Sequence, residues 1–287
     1  MSPRGQIEES APAKINLGLH VLARRPDGYH EIDTVLLPVA WEDRLLLQAP
    51  AADFAFTCTD PDLPLGEENL CVRALRLVQR AGRWQTPVRI HLDKRIPYGA
   101  GLGGGSSDAA AVLRGLNKLG LKASPSELET WAAQLGSDVP FFLQAIPARA
   151  RGRGELLEPW PGFHWPFWTV LVFPGIRIST AEAYRWVRPR SEGRPDLERL
   201  LRDLDPVRWR RELVNDFEAP VLDRHPMLRA LRDRLYALGA LYAALSGSGS
   251  AFWAIFETEP SARAALEALS PLEAKLSPPR PFFPCLG

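Results

Sequence analysis

The residues best equipped for chemistry in this 287-residue chain form one short run, Pro97-Tyr98-Gly99-Ala100-Gly101-Leu102-Gly103-Gly104-Gly105-Ser106-Ser107. Five glycines between positions 99 and 105 clear side chains away, so backbone amides can approach an anion directly. A helix is predicted to follow over about 107–119, rich in alanine and leucine and closed by Gly120. Its start adds unpaired N–H donors and the positive end of the helix dipole. Ser106 and Ser107 add hydroxyls suited to phosphate or to a magnesium ion. The run reads as a phosphate-binding loop. A flexible surface turn is the alternative, but so many glycines carry a large entropic cost where there is no ligand to approach.

Gly99, Gly101 and Gly104 also satisfy G-x-G-x-x-G, which raises a dinucleotide-binding unit and NAD-dependent oxidoreduction as a competing reading. Two features weigh against it. In the preceding segment Val88, Ile90 and Leu92 alternate with Arg89, His91 and Asp93, whereas a central parallel strand is apolar on both faces. No acidic residue closes a second strand about 20 residues later; a helix beginning at Ser124 occupies that space. The lysine of a G-x-x-x-x-G-K-[ST] loop is missing altogether.

Two further positions carry groups that could act on a bound phosphate. Lys14 and Asn16 lie two apart in a segment of period two, so their side chains project together. Lysine on a polar strand face is commonly just solvated, and an ammonium that stabilises a transferring phosphoryl is the sharper possibility. Asp138 stands in Gly136-Ser137-Asp138-Val139-Pro140-Phe141-Phe142, a polar corner followed at once by apolar bulk. It reads equally as a rigidly held general base or as a helix-capping carboxylate.

The elements that must position these groups are legible from periodicity. Over 14–22, Ile15, Leu17, Leu19 and Val21 oppose Lys14, Asn16, Gly18 and His20, which predicts a half-buried strand. Arg25-Pro26-Asp27-Gly28 predicts a turn, and strand-like runs follow at 34–39 and 44–48. Residues 69–81 are helical in pattern, and 88–93 form a one-sided strand. Ser124, Pro125 and Glu127 make a capping box with proline at the first helical position, and Gly136 ends that helix. The character changes to Arg, Gly and Pro near 149–161, which places a domain boundary near residue 160 and gives domains 1–160 and 161–287. Beyond it come a strand at 168–173, an arginine-rich loop or helical stretch at 188–212, a helix at 226–238, and apolar runs 240–245 and 251–256. Those two runs flank Ser246-Gly247-Ser248-Gly249-Ser250, either a tight turn or a loop that approaches phosphate through its amides. The proline-rich tail from Pro278 reads as irregular.

Composition narrows the class. The chain is 46% apolar, enough for a real core, and 35 basic residues balance 34 acidic ones, so no broad footprint for nucleic acid or membrane exists. Cys58, Cys71 and Cys285 are odd in number and far apart, which argues against a disulfide framework or a zinc site. No signal-peptide pattern opens the chain and no apolar run is long enough to span a bilayer. A cytoplasmic protein is the expectation; oligomeric state is not legible.

Five motifs carry a family resemblance. Residues 97–110 resemble the phosphate loop of the GHMP kinases, usually P-x-x-x-G-L-G-S-S-A, in the longer G-L-G-G-G-S-S-D-A-A form that marks the diphosphocytidyl-methylerythritol kinase branch. Ala11-Pro12-Ala13-Lys14-Ile15-Asn16-Leu17 is similar to the family's opening motif, Asp27-Gly28-Tyr29-His30 to its D-G-Y-H, and 136–142 to its G-[AS]-D-V-P-F-F. Residues 245–250 correspond to the third GHMP motif. The resemblance implies an α/β (α+β) fold of two domains: an N-terminal nucleotide-loop domain, a ferredoxin-like C-terminal domain, and the active site in the cleft. It implies transfer of the γ-phosphoryl of ATP, with Mg²⁺, to the 2-hydroxyl of a cytidyl diphosphate sugar alcohol in non-mevalonate isoprenoid precursor synthesis. By the same resemblance Asp138 is the catalytic base and Lys14 the second catalytic residue, and residues 97–107 hold the nucleotide. Asn16 contributes hydrogen bonds to substrate, Tyr29 stacks on the cytosine and His30 bonds its edge. Thr180 and Tyr184 complete the substrate site, Tyr184 as a second stacking ring. The metal ligands stay open, with Ser107 a candidate. Another GHMP small-molecule kinase, or a nucleotide-binding module without chemistry, would share the loop; the D-G-Y-H turn opposes the first, and Lys14 with Asp138 the second.

Overall fold

The computed structural model describes residues 5–281; Cys285 and the end of the proline-rich tail lie outside the described residues. Contacts group the chain into two compact units, each drawing on several segments. The first takes the chain up to residue 13 together with 42–96 and 103–145; the second takes 14–41, 97–102 and 146–287.

Two long strands, β1 (Gly5–Arg24) and β2 (His30–Ala49), pair with each other and contribute residues to both units. In the first unit, β3 (Ala55–Cys58) runs parallel to β4 (Arg89–Asp93), which pairs antiparallel with β2 from Arg44↔Asp93 to Gln48↔Arg89. Helices α1 (Leu70–Arg80), α2 (Gly104–Leu116), α3 (Pro125–Leu135) and the single turn α4 (Phe141–Gln144) complete this unit. Leu45, Leu47, Ile90 and Leu92 are buried, as are Leu75, Val78, Leu113 and Trp131 from the helices. A side chain on Gly115 would start 2.8 Å from Leu47, so glycine at that point lets α2 settle against the strand.

In the second unit, β5 (Ala148–Gly152) pairs antiparallel with β2 from Ile32↔Gly152 to Leu36↔Ala148, and β6 (Leu156–Pro159) pairs with β5. After the short β7 (His164–Trp165) comes β8 (Trp168–Phe173), then helices α5 (Thr180–Trp186), α6 (Leu197–Arg202), α7 (Pro206–Glu212), α8 (Glu218–Arg224) and α9 (Pro226–Ala237). Strands β9 (Tyr242–Leu245) and β10 (Phe252–Phe256), helix α10 (Glu259–Ala268), β11 (Glu273–Ser277) and β12 (Arg280–Pro281) finish the chain's described part. The sheet is wholly antiparallel in the order β11-β8-β10-β9. Strand alternation sends Val170, Val172, Phe252, Ala254 and Phe256 into one core with Leu228, Leu231 and Leu235 of α9 and Ala262 and Ala265 of α10. Trp253 of the same strand joins an aromatic group with Trp165, Trp209 and Tyr242. This sheet with its helices is the ferredoxin-like half that the resemblance implies.

Several expected elements stand with shifted bounds. The capping box at Ser124 is complete: Ser124 accepts from the Glu127 amide, and the Glu127 carboxylate accepts from the Ser124 amide. The two runs at 34–39 and 44–48 are one strand, β2, because nothing between them breaks the ladder. The expected strand at 14–22 is part of a 20-residue strand and is not half-buried: Lys14, Asn16 and His20 are as enclosed as Ile15 and Leu17. On its polar face Lys14 and Asn16 are satisfied by hydrogen bonds to protein oxygens, whereas neither ring nitrogen of the buried His20 has a partner. Helix α2 starts at Gly104 instead of 107, since Gly103 in the left-handed region (φ 73°) turns the chain into the helix. It ends at Leu116, and a wider turn over Asn117–Leu121 carries the chain through Gly120. The stretch 188–212 contains α6 and α7, each capped by an aspartate, Asp196 and Asp205. The tail is not irregular throughout, because Arg280–Pro281 pairs with β7.

Candidate active site

The first half of the glycine loop is a packed structure. In the second unit the Lys14 amide donates to Leu102 O (2.9 Å), and the Ala251 amide to Ala100 O (3.0 Å). Gly101 O accepts both from Lys14 Nζ (3.0 Å) and from Ser246 Oγ (3.0 Å). Residues 14, 101 and 246, remote in sequence, thus meet at one carbonyl. Gly101 has φ 79°, and a Cβ there would lie 2.2 Å from Ser246 O and 2.9 Å from Gly249 O. No other residue fits. Gly247 is similarly close: its Cβ would stand 3.4 Å from both Lys14 Nζ and Asn16 Oδ1.

Lys14 is almost fully buried, and its ammonium also donates to Asn16 Oδ1 (2.7 Å). The Asn16 amide donates to Thr34 Oγ1 (3.0 Å), which donates to Gly18 O (2.5 Å). This chain of bonds fixes the direction of the Lys14 side chain, as an electrostatic catalyst requires. The two residues expected on one strand face are therefore in direct contact.

Asn215, not singled out from the sequence, underpins the 246–250 loop. Its Nδ2 donates to Leu245 O and Gly247 O (both 2.9 Å), and its Oδ1 accepts from the Phe217 amide (3.0 Å). Only a Val-Asn-Asp run after an arginine-rich helix marks it in sequence, a signal too weak to read. Across the loop, Thr180 Oγ1 lies 3.1 Å from Ser248 Oγ. That contact joins a predicted substrate residue to the third motif.

The aromatic residues divide. The turn at 25–28 forms as expected, with the Gly28 amide donating to Arg25 O (3.1 Å) and the Tyr29 amide to Asp27 Oδ1 (3.1 Å). Tyr29 projects with 53% of its surface exposed, under the Arg153 guanidinium at 4.7 Å. His30 lies flat on Tyr184, with ring centroids 4.5 Å apart and 13° between planes, and Phe217 meets Tyr184 edge-on. Tyr184 therefore already has a stacking partner, and Tyr29 is not part of that stack. Burial, then the nearby Arg24 charge, hold the His30 imidazole below its ordinary pKa. A neutral ring offers one donor and one acceptor to a base edge. Tyr98 is half exposed, with Arg177 at 5.7 Å from its ring.

The second half of the loop belongs to the first unit. Gly103 gives α2 no side-chain cap, so the helix's opening amides are available to an anion. Ser107 is fully buried, and its Oγ lacks a hydrogen-bond partner. Beneath it sits an ion cluster that sequence reading missed. Lys94 Nζ contacts Asp43 and bonds Asp108 Oδ2 (2.8 Å), with all three side chains buried. Asp43 Oδ1 also accepts from the amides of Arg95 (2.5 Å) and Ile96 (2.7 Å), which anchors the approach to the loop. A Cβ on Gly104 would lie 2.9 Å from Lys94 Nζ. Burial pushes the Asp108 carboxyl up to about 8 against the pull of Lys94, and the Asp43 charge adds to it. Burial also works against the Lys94 ammonium, but Asp108 and Asp43 together raise its pKa. The scarcity of lysine was the only available hint of Lys94: the chain has just Lys14, Lys94, Lys118, Lys122 and Lys275.

Asp138 stands in the turn between α3 and α4, partly exposed and flanked by buried Val139, Phe141 and Phe142. The Val139 amide donates back to Gly136 O (3.3 Å), closing the corner. Among the described residues no group of three or more His, Cys, Asp or Glu side chains could hold a metal ion. Mg²⁺ ordinarily takes one or two protein oxygens plus substrate phosphates and water. The unpartnered Ser107 hydroxyl at the helix start fits that mode. Among the described residues no helix is long and apolar enough to cross a membrane.

Comparison with known proteins agrees with this geometry. Residues 69–145 match the family model "GHMP kinases N terminal domain", and 197–272 match "GHMP kinases C terminal". The chain is 46% identical over 275 residues to a 4-diphosphocytidyl-2-C-methyl-D-erythritol kinase of Salinibacter ruber, covering 94% of this chain and 96% of that protein. It is 44% identical to the enzyme of the same name from Prosthecochloris aestuarii, covering 92% and 94%. A crystal structure of a 4-(cytidine 5'-diphospho)-2C-methyl-D-erythritol kinase aligns with a TM-score of 0.80 at 42% identity, covering 94% of this chain and 98% of the other. The glycine loop pinned at Gly101, the buried Lys14 and this near full-length identity all place the chain among the GHMP kinases, in the family of the 4-diphosphocytidyl-2-C-methyl-D-erythritol kinases.

Proposed function

We propose that this chain transfers the γ-phosphoryl group of ATP to the 2-hydroxyl of 4-diphosphocytidyl-2-C-methyl-D-erythritol, a step of isoprenoid precursor synthesis. The observation that carries the reading is the buried Lys14 ammonium, aimed by Asn16 and Gly101 O within a chain of this family. The oriented cation together with the Asp138 carboxylate in one chain favours phosphoryl transfer over a module that only binds nucleotide.

In this reading residues 97–107 receive the triphosphate through amides and through the start of α2. Asp138 accepts the proton of the attacking hydroxyl, the oxygen forms its bond to the γ-phosphorus, and ADP departs. Lys14 offsets negative charge on the phosphoryl as it moves. Mg²⁺, when bound, would neutralise charge on the polyphosphate, and Ser107 would offer it a protein oxygen. Asn16 and Thr180 hydrogen-bond the substrate, Tyr29 covers the cytosine, and His30, held by Tyr184, meets the base edge with its donor and acceptor. The chain divides near residue 160 in functional terms, with nucleotide binding before it and the ferredoxin-like half after it. The substrate is a small soluble metabolite, and the protein acts in the cytoplasm.

The test is ADP release with Mg·ATP and, in parallel, the cytidyl substrate, mevalonate or homoserine. Turnover confined to the cytidyl substrate is expected. Equal turnover with either other alcohol would remove the cytidine assignments, and no turnover with any would leave a binding module.

A further inference from the structure

The second unit contains a cavity of about 410 Å³ that none of the assigned catalytic or substrate residues lines. It lies between α7, the 213–215 link, the start of α8, helix α9 and strand β9. Its volume is in the range of small-molecule sites, roughly 300–1,000 Å³.

Among its hydrogen-bonding groups the buried polar atom left without a partner is a donor. Both Glu218 carboxylate oxygens are engaged: Oε1 accepts from Arg232 Nη1 (3.2 Å) and Oε2 from the Leu245 amide (2.9 Å). The Tyr236 hydroxyl is shared between the carbonyl and amide of Ala243 (both 3.2 Å), and the Tyr242 hydroxyl donates to Leu213 O (2.5 Å). Asn215 is spent on the backbone at 245, 247 and 217. Arg232, by contrast, has a buried Nε with no partner. Arg210 gives Nε to Leu241 O (2.7 Å) and Nη2 to Ala240 O (2.9 Å), and its guanidinium lies 4.7 Å above the Tyr236 ring. Its Nη1 makes no bond among the described residues. The cavity therefore presents two guanidinium groups against the Glu218 carboxylate, while Asp233, which does not line it, also accepts from Arg232 Nη2 (3.3 Å). A buried donor without an acceptor is costly, and a charged acceptor is its best complement.

The remaining walls are apolar or aromatic, so an inorganic anion would satisfy the arginines and leave most of the space unfilled. We propose that this cavity is a second binding site for a small organic anion, with a phosphate or carboxylate head at Arg210 and Arg232 and an apolar or aromatic body against Tyr236 and Tyr242. The site is built into the support of the active-site loop. Asn215 lines it and holds Gly247 O; Glu218 lines it and holds the Leu245 amide. An occupant thus touches the residues that set the loop beside Lys14, and its binding is read out in catalysis as well as directly.

The experiment is calorimetric titration of the full chain with phenyl phosphate, in the presence of saturating ADP so that the nucleotide site is filled. Saturable binding is expected, at least tenfold tighter than that of inorganic phosphate or benzyl alcohol. Arg232→Met and Arg210→Met should each weaken it at least tenfold, and Lys14→Met should leave it unchanged. Arg210→Met leaves the Glu218 pair intact, so a folded variant is available even if Arg232→Met is unstable. A change in KM for the cytidyl substrate on adding phenyl phosphate at constant ATP, absent in Arg210→Met, would support the link to the loop. Lack of saturation, binding indifferent to both arginine variants, or loss of binding with Lys14→Met would overturn the proposal.

Discussion

Gly101→Ala is the sharpest test of how the loop is built, because its cost is readable from two independent features. The residue has φ 79°, and a left-handed backbone costs an L-residue about 1–2 kcal/mol. The added Cβ would also start 2.2 Å from Ser246 O and 2.9 Å from Gly249 O. Both obstacles are backbone, so neither can turn aside as a flexible side chain would. Relieving them must separate residues 97–102 from the 246–250 loop, and overpacking of that kind costs about 1–3 kcal/mol. The sum is about 2–5 kcal/mol, a sizeable share of the ~5–15 kcal/mol that holds a typical fold. Gly99→Ala is the matched control. Gly99 has φ 71°, but the nearest atom to its Cβ is Arg177 Cγ at 3.8 Å, an ordinary contact, so only the backbone term of about 1–2 kcal/mol remains. Urea denaturation gives both stabilities, and the difference between the variants isolates the clash. The Gly101 variant should also lose Lys14 and Ser246 as partners of one carbonyl, so its kcat falls and its KM for ATP rises. If Gly101→Ala matched Gly99→Ala within about 0.5 kcal/mol and kept its KM for ATP, the packed loop described above would be wrong.

Asp138→Asn should lower kcat by about two orders of magnitude or more while leaving nucleotide affinity near that of the parent, as read by steady-state kinetics and ATP titration; near-normal turnover would remove Asp138 from the proton transfer. Tyr184→Ala should raise the KM for the cytidyl substrate by about two- to tenfold, since an aromatic pair contributes about 0.5–1.5 kcal/mol, whereas Tyr184→Phe keeps the His30 stack and should change it little. An unchanged KM in the alanine variant would detach the stack from the substrate. The Asp108 carboxyl, raised in the folded protein to about 8 from 3.8, holds its proton in the fold at pH values where the unfolded chain has lost it. Its stabilising contribution is therefore complete below about pH 3.8 and is lost as pH rises through about 8. Asp108→Asn should flatten the fall in melting temperature between about pH 4 and about pH 8; a slope identical to the parent's would place the titration elsewhere.

What could be read from the sequence was whatever short-range physics enforces. The capping box at Ser124, the turn at 25–28, helix α1 and the runs flanking 246–250 follow from residue types a few positions apart, and they form where expected. The boundaries that moved did so for tertiary reasons: Gly104 and Gly105 are poor helix formers, yet they sit inside α2 because Gly103 turns the chain into it and Lys94 crowds that spot. The same contrast runs through the site. Lys14, Asn16, Asp138 and the loop carry local patterns, and the Lys14–Asn16 contact is set by their being two apart on a strand.

The sequence alone determined the chemical inventory, namely a glycine-rich loop, a lysine, an aspartate and two aromatic-bearing segments, since side-chain type and near-neighbour spacing need no fold to be read. Only the tertiary structure decided what each group meets. Gly101 O joins Lys14 to Ser246, Asn215 props the loop, Asp43 and Asp108 share Lys94, and His30 rests on Tyr184. Each of these contacts spans tens to hundreds of residues of chain. Their energies depend on burial, which removes water as a competing partner and so turns isolated polar residues into fixed, oriented networks.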